Sequence, residues 1–237
     1  MDLRGKNVLI TGGARVGQTV ASELEGAGAK LAMTYLKDAS EVREGAHALP
    51  LDVFQEASAR ALVPLVVEVM GQVDALVNMV SIFVPDSKEL SYEEMKKQFT
   101  VNAFGNMLVS RLFAEYAREK GLRNVPIVSF IDWAVDHPYA NHDVYIAAKA
   151  GLRHYLMALQ TTFAGVVRIV NIHPGMILEP EGFDPAIKET IIANTPLKMI
   201  GTPEHAGKLV RVALEVDYLA DNIHLDGGQQ WRHRLSD

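Results

Sequence analysis

Tyr145 and Lys149 stand four residues apart, a spacing that puts both side chains on one face of a helix. A phenol ionises near pH ~10. A neighbouring ammonium favours the phenolate and brings the phenol closer to acid–base work at neutral pH. A second chemical signal lies near the start of the chain. Val8-Leu9-Ile10-Thr11 reads as a strand that ends in Gly12-Gly13-Ala14-Arg15-Val16-Gly17 ahead of an apolar helix. Glycines at such a turn let the backbone approach a pyrophosphate, and the helix start adds free N–H donors and a positive dipole end. Gly12, Arg15, Val16 and Gly17 are therefore candidate phosphate-binding residues. At the end of the second strand-like run an acid would hold the ribose 2′-hydroxyl of NAD. The chain has Thr34-Tyr35-Leu36-Lys37 there, with no acid before Asp38. Arg15 and Lys37 thus favour a 2′-phosphate and NADPH, unless Lys37 is a solvated surface lysine.

Positioning these groups requires a regular framework, and the pattern supplies one. Strand-like runs at Asn7–Thr11, Lys30–Tyr35, Ala46–Leu51, Ala75–Asn78, Pro126–Phe130, Val166–Ile172 and Ile223–Leu225 alternate with helical segments near 18–27, 55–70, 91–119, 145–164 and 203–216. This rhythm predicts an α/β fold, a doubly wound parallel sheet of seven strands in one domain. Ser91-Tyr92-Glu93-Glu94 is a capping-box pattern, and Thr202-Pro203-Glu204 sets an N-cap before a proline at N1. Pro64 inside the 55–70 segment is expected to kink it or cost about 3 kcal/mol. The stretch Gly175–Gly201 carries Pro180, Gly182, Pro185 and Pro196. It follows the end of a strand, where ligands of open α/β sheets bind. A substrate lid near 176–201, with a short helix at Pro185–Ala193, is the expectation.

Composition narrows the classes. The 237 residues include 49% hydrophobic and 22% charged, with a formal net charge of −6 and no Cys. Disulfides, thiolate zinc sites and Cys nucleophiles are excluded. Nothing resembles the basic stripe of a nucleic-acid binder, and no apolar run approaches the ~18 residues of a membrane span. No signal-peptide core follows Met1, so a cytoplasmic location is expected. Asp136, His137, His142 and Asp143 crowd the loop before Tyr145, but their spacing follows no helix face and no metal is expected.

Taken together, these motifs resemble the short-chain dehydrogenase/reductase family over nearly the whole chain. Thr11-Gly12 to Gly17 is similar to its cofactor turn, Leu51-Asp52-Val53 to its adenine contact, and Leu76-Val77-Asn78 to the start of its Asn-Asn-Ala-Gly strand end. Val101-Asn102 resembles its helix asparagine, and Tyr145 to Lys149 its Tyr-x-x-x-Lys pair. Pro174-Gly175 resembles its nicotinamide loop, and Leu225-Asp226-Gly227-Gly228 its C-terminal signature. The resemblance implies a Rossmann-like sheet and a nicotinamide cofactor contacted by Asp52, Val53, Asn78, Tyr145, Lys149, Pro174 and Gly175. It also implies that Asn102 anchors a proton-relay water, and that the protein is a homotetramer.

The departures speak to substrate. The family's catalytic Ser lies 13 residues before the Tyr, and here that position is Asp132. That exchange resembles the pteridine and dihydromonapterin reductase branch, which also has an aromatic two positions after a Ser where this chain has Ser81 and Phe83. The resemblance implies hydride delivery to a C=N bond of a dihydropterin or dihydrofolate. Phe83 would stack on the pterin, Ser81 and Arg15 would bind it, and Asp132 with Tyr145 would move the proton. A reductase of 3-oxoacyl thioesters or other ketones is the alternative. A weak NADP-binding sensor or assembly protein is the other, motivated by a cofactor turn one residue short and by Met79, Val80, Glu179 and Ala220-Asp221 at places where the family differs. A C-terminal Arg232 or Arg234 is expected to reach a neighbouring subunit's site, unless the tail is a free end.

Overall fold

A computed structural model of the chain describes residues 1–179 and 182–234, with only the backbone of 232–234. Strands β1 (Asn7–Thr11), β2 (Lys30–Tyr35), β3 (His47–Pro50), β4 (Ala75–Asn78), β5 (Val125–Phe130), β6 (Val167–Pro174) and β7 (Asn222–Leu225) form one sheet in the order β3-β2-β1-β4-β5-β6-β7. All six pairings are parallel. The apolar runs of β1, β2, β4, β5 and β6 are buried, as the inner strands of a parallel sheet covered by helices require, whereas the edge strands β3 and β7 are more exposed. The seven-stranded, single-domain architecture expected from the pattern is the one found.

Helices α1 (Val16–Gly26) and α7 (Pro203–Glu215) cover one face, around Val8, Ile10, Val20, Leu24, Val170 and Val210. Helices α2 (Glu56–Met70), α4 (Gly105–Glu119) and α5 (Asp143–Thr162) cover the other, around Leu9, Leu62, Leu76, Phe113, Ile127 and Leu152. Pro64 does not interrupt α2. It lies on the exposed side, where water can satisfy the carbonyl that its missing N–H leaves without a partner. The segment expected as one helix over 91–119 divides into α3 (Tyr92–Phe99), a π-helical turn over Thr100–Phe104, and α4. The side chain of Asn106 donates to the Val101 and Val80 carbonyls, 3.0 Å each, and so takes up a carbonyl that the widened turn releases. The capping box is present: Glu94 N donates to Ser91 Oγ at 3.2 Å and Ser91 N to Glu94 Oε2 at 2.8 Å. The expected lid helix is α6 (Pro185–Asn194), capped by Asp184.

Three strand ends set the site. Thr11 pairs with Asn78, and Asn78 with Ser129. The turn after β1, the loop after β4 and the Asp132 segment after β5 therefore leave the sheet at one level. Strand order reverses between β1 and β4, which opens the crevice where such sheets bind ligands. The loop after β4 is fastened to α5. Asp86 accepts from Val144 N at 3.2 Å and from Gln98 Nε2 at 3.1 Å, and Asp86 N donates to the Asn141 carbonyl. A carboxylate from a distant loop thus caps the helix that carries Tyr145, since His142 at its N-cap makes no capping bond. Asp86→Ala is expected to cost about 1 kcal/mol in urea unfolding, and to raise hydrogen exchange at the first turn of α5 without altering that of α1.

Candidate active site

Around the first turn the backbone is drawn tight. Gly12 N donates to Thr34 Oγ1 at 2.9 Å and Gly13 N to the Thr34 carbonyl at 3.0 Å. Gly12 has φ +81°, and a Cβ there would lie 3.0 Å from the Met79 carbonyl carbon; a Cβ on Gly17 would lie 2.4 Å from the Gly12 oxygen. Only glycine fits either place. Arg15, the N-cap of α1, has φ 52° and ψ −115° and makes no side-chain cap. A non-glycine residue in that region stores about 1–3 kcal/mol, and Gly17 N and Gln18 N close the turn on the Ala14 and Arg15 carbonyls at 2.9 and 3.1 Å.

From this turn a cleft of about 1360 Å³ runs along the carboxyl ends of the strands. Gly12, Arg15, Val16, Gly17, Asp52, Val53, Pro174 and Gly175 line it, as do Ser81, Phe83, Asp132, Tyr145 and Lys149. The tight glycines, the uncapped helix start and the continuity from turn to tyrosine fit a nicotinamide dinucleotide. Lys37 does not line the cleft; Tyr35, Leu36 and Glu41 do. Of the two cations expected to meet a 2′-phosphate, only Arg15 faces the cleft. Its guanidinium reaches the Glu179 carbonyl at 3.5 Å.

Tyr145 OH donates to Asp132 Oδ2 at 2.9 Å. Tyr139 OH reaches the same oxygen at 3.4 Å, and Ala134 N donates to Asp132 Oδ1 at 2.8 Å. Burial pushes the Asp132 carboxyl up against the pull of these donors and of the Lys149 charge. Tyr145 is held well above the usual phenol range, first by burial and then by the Asp132 charge, with Tyr139 adding and Ser81 opposing. This corrects the expectation that Lys149 draws Tyr145 toward the phenolate. The ammonium lies 5.9 Å from the Tyr145 ring centroid and donates to the Phe130 carbonyl at 2.8 Å, whereas the carboxylate sits within hydrogen-bond reach. The site therefore keeps Tyr145 protonated, as a proton donor. Lys149 itself is lowered to about 8, burial outweighing the Asp132 charge.

On the substrate side Phe83 is half exposed. It stacks on His142 at 4.3 Å between centroids and meets Tyr145 edge-on at 5.0 Å and Tyr139 at 6.1 Å. One ring face of Phe83 is thus already covered, and only the rest is free to meet a substrate ring. The sequence reading missed Tyr139 and His142, because nothing in their spacing shows that a loop folds back over Asp132. Phe183, Ile187 and Ile191 line the cleft with apolar side chains, and Lys188 on α6 pairs with Glu179 within the same 176–201 stretch at 2.6 Å. Pro180 in this stretch and the side chains of Arg232 and Arg234 lie outside the described residues.

Two expected contact residues point elsewhere. Asn78 is buried, its amide donating to Ser110 Oγ at 2.8 Å and Ser129 Oγ at 3.1 Å, which stitches β4 to its neighbours instead of reaching a cofactor. Asn102 in the π turn accepts from Ser81 Oγ at 2.8 Å and Ile82 N at 2.9 Å through its side-chain oxygen. Neither lines the cleft; Asn102 holds the substrate loop. Asp136, set among His137, His142 and Asp143 in the sequence, is instead gathered with His173 and His224, ligand atoms within 4.8 Å of one another. Arg153 donates to both Asp136 oxygens at 2.7 and 2.8 Å, and both ring nitrogens of His173 meet oxygens. Asp136 is thus held by Arg153, and His173 by the Asp132 carbonyl and Asn222, behind the Asp132 side chain.

Residues 13–229 match the family model described as Enoyl-(Acyl carrier protein) reductase. The chain belongs to the short-chain dehydrogenase/reductase family. A sorbitol dehydrogenase of Cereibacter sphaeroides is 30% identical over 96% of this chain and 98% of its own. A glucose 1-dehydrogenase of Gluconobacter oxydans is 26% identical over 94% and 91%, and a hydroxynaphthalene reductase of Aspergillus fumigatus 28% over 89% and 86%. Among solved structures, an aldohexose dehydrogenase of Thermoplasma acidophilum superposes with a TM-score of 0.90 at 21% identity, covering 100% of this chain and 98% of that one. These relatives are dehydrogenases and reductases by name, and the pterin branch that Asp132 and Phe83 suggested is not represented among them.

Lys149 links this short-chain oxidoreductase's function to its stability. Folding lowers its proton affinity from 10.5 to about 8. Between those pH values the unfolded chain holds a proton that the native state does not, so stability rises with pH across that window and is lowest below it. The deficit is about 3 kcal/mol, against about 1 kcal/mol for the bond to Phe130. Lys149→Met is therefore expected to be about 2 kcal/mol more stable than wild type at neutral pH in urea unfolding. That advantage should vanish above pH ~10, and the variant should be inactive at every pH.

Proposed function

We propose that this oxidoreductase interconverts a carbonyl compound and its alcohol, acting as a reductase of a ketone or 3-oxoacyl thioester. The observation that carries the reading is Tyr145, bonded to Asp132 and facing the cleft one helical turn from Lys149. The names of the relatives, which act on sugars, a polyol and a hydroxynaphthalene, support carbonyl chemistry over other redox classes. Gly12, Gly17 and Arg15 would hold the phosphates of NAD(P)H, Asp52 and Val53 its adenine end, and Pro174, Gly175 and Lys149 its nicotinamide half. When bound, that group supplies the hydride. NADPH is the form proposed, because Arg15 faces the cleft and no acid stands directly at the end of β2.

Reduction builds negative charge on the substrate heteroatom, and Tyr145 is placed to donate its proton there. A phenolate left beside a carboxylate would be costly. Asp132, whose proton affinity burial raises, relieves this by passing its own proton to Tyr145. The pair acts as a two-proton store, and the reductive direction is expected to quicken as pH falls into the range where Asp132 is protonated.

A second reading follows from the same pair. A carboxyl that can carry a proton, beside the ring of Phe83, also suits the C=N bond of a dihydropterin, whose ring nitrogens and amino group offer it hydrogen bonds. Parallel assays of NADPH consumption with acetoacetyl thioester, a bicyclic aromatic ketone, dihydrobiopterin and dihydrofolate separate the two. Ketone turnover is expected; pterin turnover alone would install the second reading. Silence with all four, with NADPH still bound, would overturn both and leave a cofactor-binding protein without turnover. Asp132→Asn is expected to lower kcat by at least ~100-fold and to abolish the rise toward acid pH. An unchanged pH profile would remove Asp132 from the proton path.

A further inference from the structure

Behind Asp132 lies a stacked pair of histidines, one buried and one half-buried, that this chemistry does not use. His173, fully buried near the end of β6, has Nδ1 3.0 Å from the Asp132 backbone carbonyl and Nε2 3.1 Å from the Asn222 side chain. His224 of β7 stacks on it, centroids 4.9 Å apart at 28°. The charged groups facing this pair are Asp136 with its partner Arg153, and Asp226, whose Oδ2 lies 3.6 Å from His224 Nδ1.

The hydrogen bonding settles which nitrogen carries the proton. A backbone carbonyl can only accept, so Nδ1 of His173 is the donor. Burial, His224 and Arg153 disfavour a second proton while the Asn222 side chain favours it; Nε2 meets Asn222 Oδ1, which also accepts from Asn171 Nδ2 at 3.2 Å. Asp132 O is otherwise met by Val135 N at 3.3 Å. Asp132 Oδ1 is fixed by Ala134 N. With its carbonyl and one carboxylate oxygen both fastened, Asp132 has one orientation left, in which Oδ2 faces Tyr145.

We propose that His173 is a positioning residue for the proton-transfer pair, holding Asp132 against Tyr145 through its Nδ1–H bond, with Asn222 and His224 holding His173 in turn. This rests on the reading of Asp132 and Tyr145 as the proton store. It gives β6 and β7, which supply no proton donor of their own, a part in the chemistry. It also explains why a buried histidine stands directly before Pro174-Gly175.

The test uses the full-length protein labelled with ¹³C at the aspartate carboxyls, with the Asp132 resonance assigned from Asp132→Asn. His173→Asn keeps an N–H near the place of Nδ1, whereas His173→Leu keeps bulk and removes the donor. Wild type and His173→Asn are expected to share one Asp132 midpoint, above the usual carboxylate range. In His173→Leu the midpoint should fall by at least ~0.5 pH unit as the carboxyl turns toward water. On a substrate found active in the assays above, kcat should fall about tenfold with KM for NADPH unchanged. An unaltered midpoint in folded His173→Leu would overturn the proposal, as would equal displacement in both variants. Should His173→Leu fail to fold, Asn222→Leu is read in its place by the same rule. Failure of every substrate alongside the expected titrations would sink the proposed function and leave the positioning role standing.

Discussion

A single hydrogen bond, from Tyr145 OH to Asp132 Oδ2 at 2.9 Å, is the contact on which the rest of this architecture converges. Its partners come from different elements, one from the first turn of α5 and one from the segment that follows β5. Joining them within 0.1–0.2 Å of an ideal length requires the strand ends to be level, α5 to start at a fixed height, and the Asp132 turn to be rigid. The sheet register supplies the first through Thr11, Asn78 and Ser129. Asp86 supplies the second from the loop after β4. The third comes from Ala134 N and His173.

Around that bond the molecule accepts several locally unfavourable states. Lys149 is buried as a cation whose solvation is only partly replaced by the Phe130 carbonyl. Arg15 occupies a backbone region suited to glycine. Asp132 and Tyr145 share a cleft that disfavours charge on either. Each is destabilising by itself and each faces the cleft, the pattern expected where strain and desolvation serve chemistry. Elsewhere two costs are moderated. Pro64 lies on the solvent side of α2, and Arg168, buried under α7, donates to the carbonyls of Ala213 and Leu219 at 2.8 and 2.7 Å.

Replacing the family's serine with Asp132 alters the electrostatics of the whole site. A hydroxyl beside a tyrosine leaves its proton affinity to the nearby lysine. A carboxylate at 2.9 Å outweighs an ammonium farther off, because Coulomb energy at short range in a partly desolvated cleft exceeds that at longer range. The result is a tyrosine held as an acid. Ser81, from the loop after β4, is the hydroxyl that now adjoins Tyr145 and opposes this shift, and Asn102 fastens it through the π turn.

Much of this was legible in the residues. Short continuous apolar runs, β-branched content and the alternation with longer segments determine seven strands and the helices between them, since burial on two faces admits few other patterns. The glycines of the first turn and the four-residue spacing of Tyr145 and Lys149 place the cofactor turn and the helix face, because both are local constraints on the backbone. What tertiary structure alone decides is where side chains from separate segments meet. Lys37 turns from the cleft, Asn78 turns to Ser110 and Ser129, and Tyr139 and His142 fold over Asp132 and Phe83, although nothing local dictates any of these directions. The sign of the Tyr145 perturbation belongs to the same class. The spacing fixes only that Tyr145 and Lys149 share a helix face; the distance to Asp132 is set by the packing of α5 against the end of β5, and spacing along the chain carries no information about it.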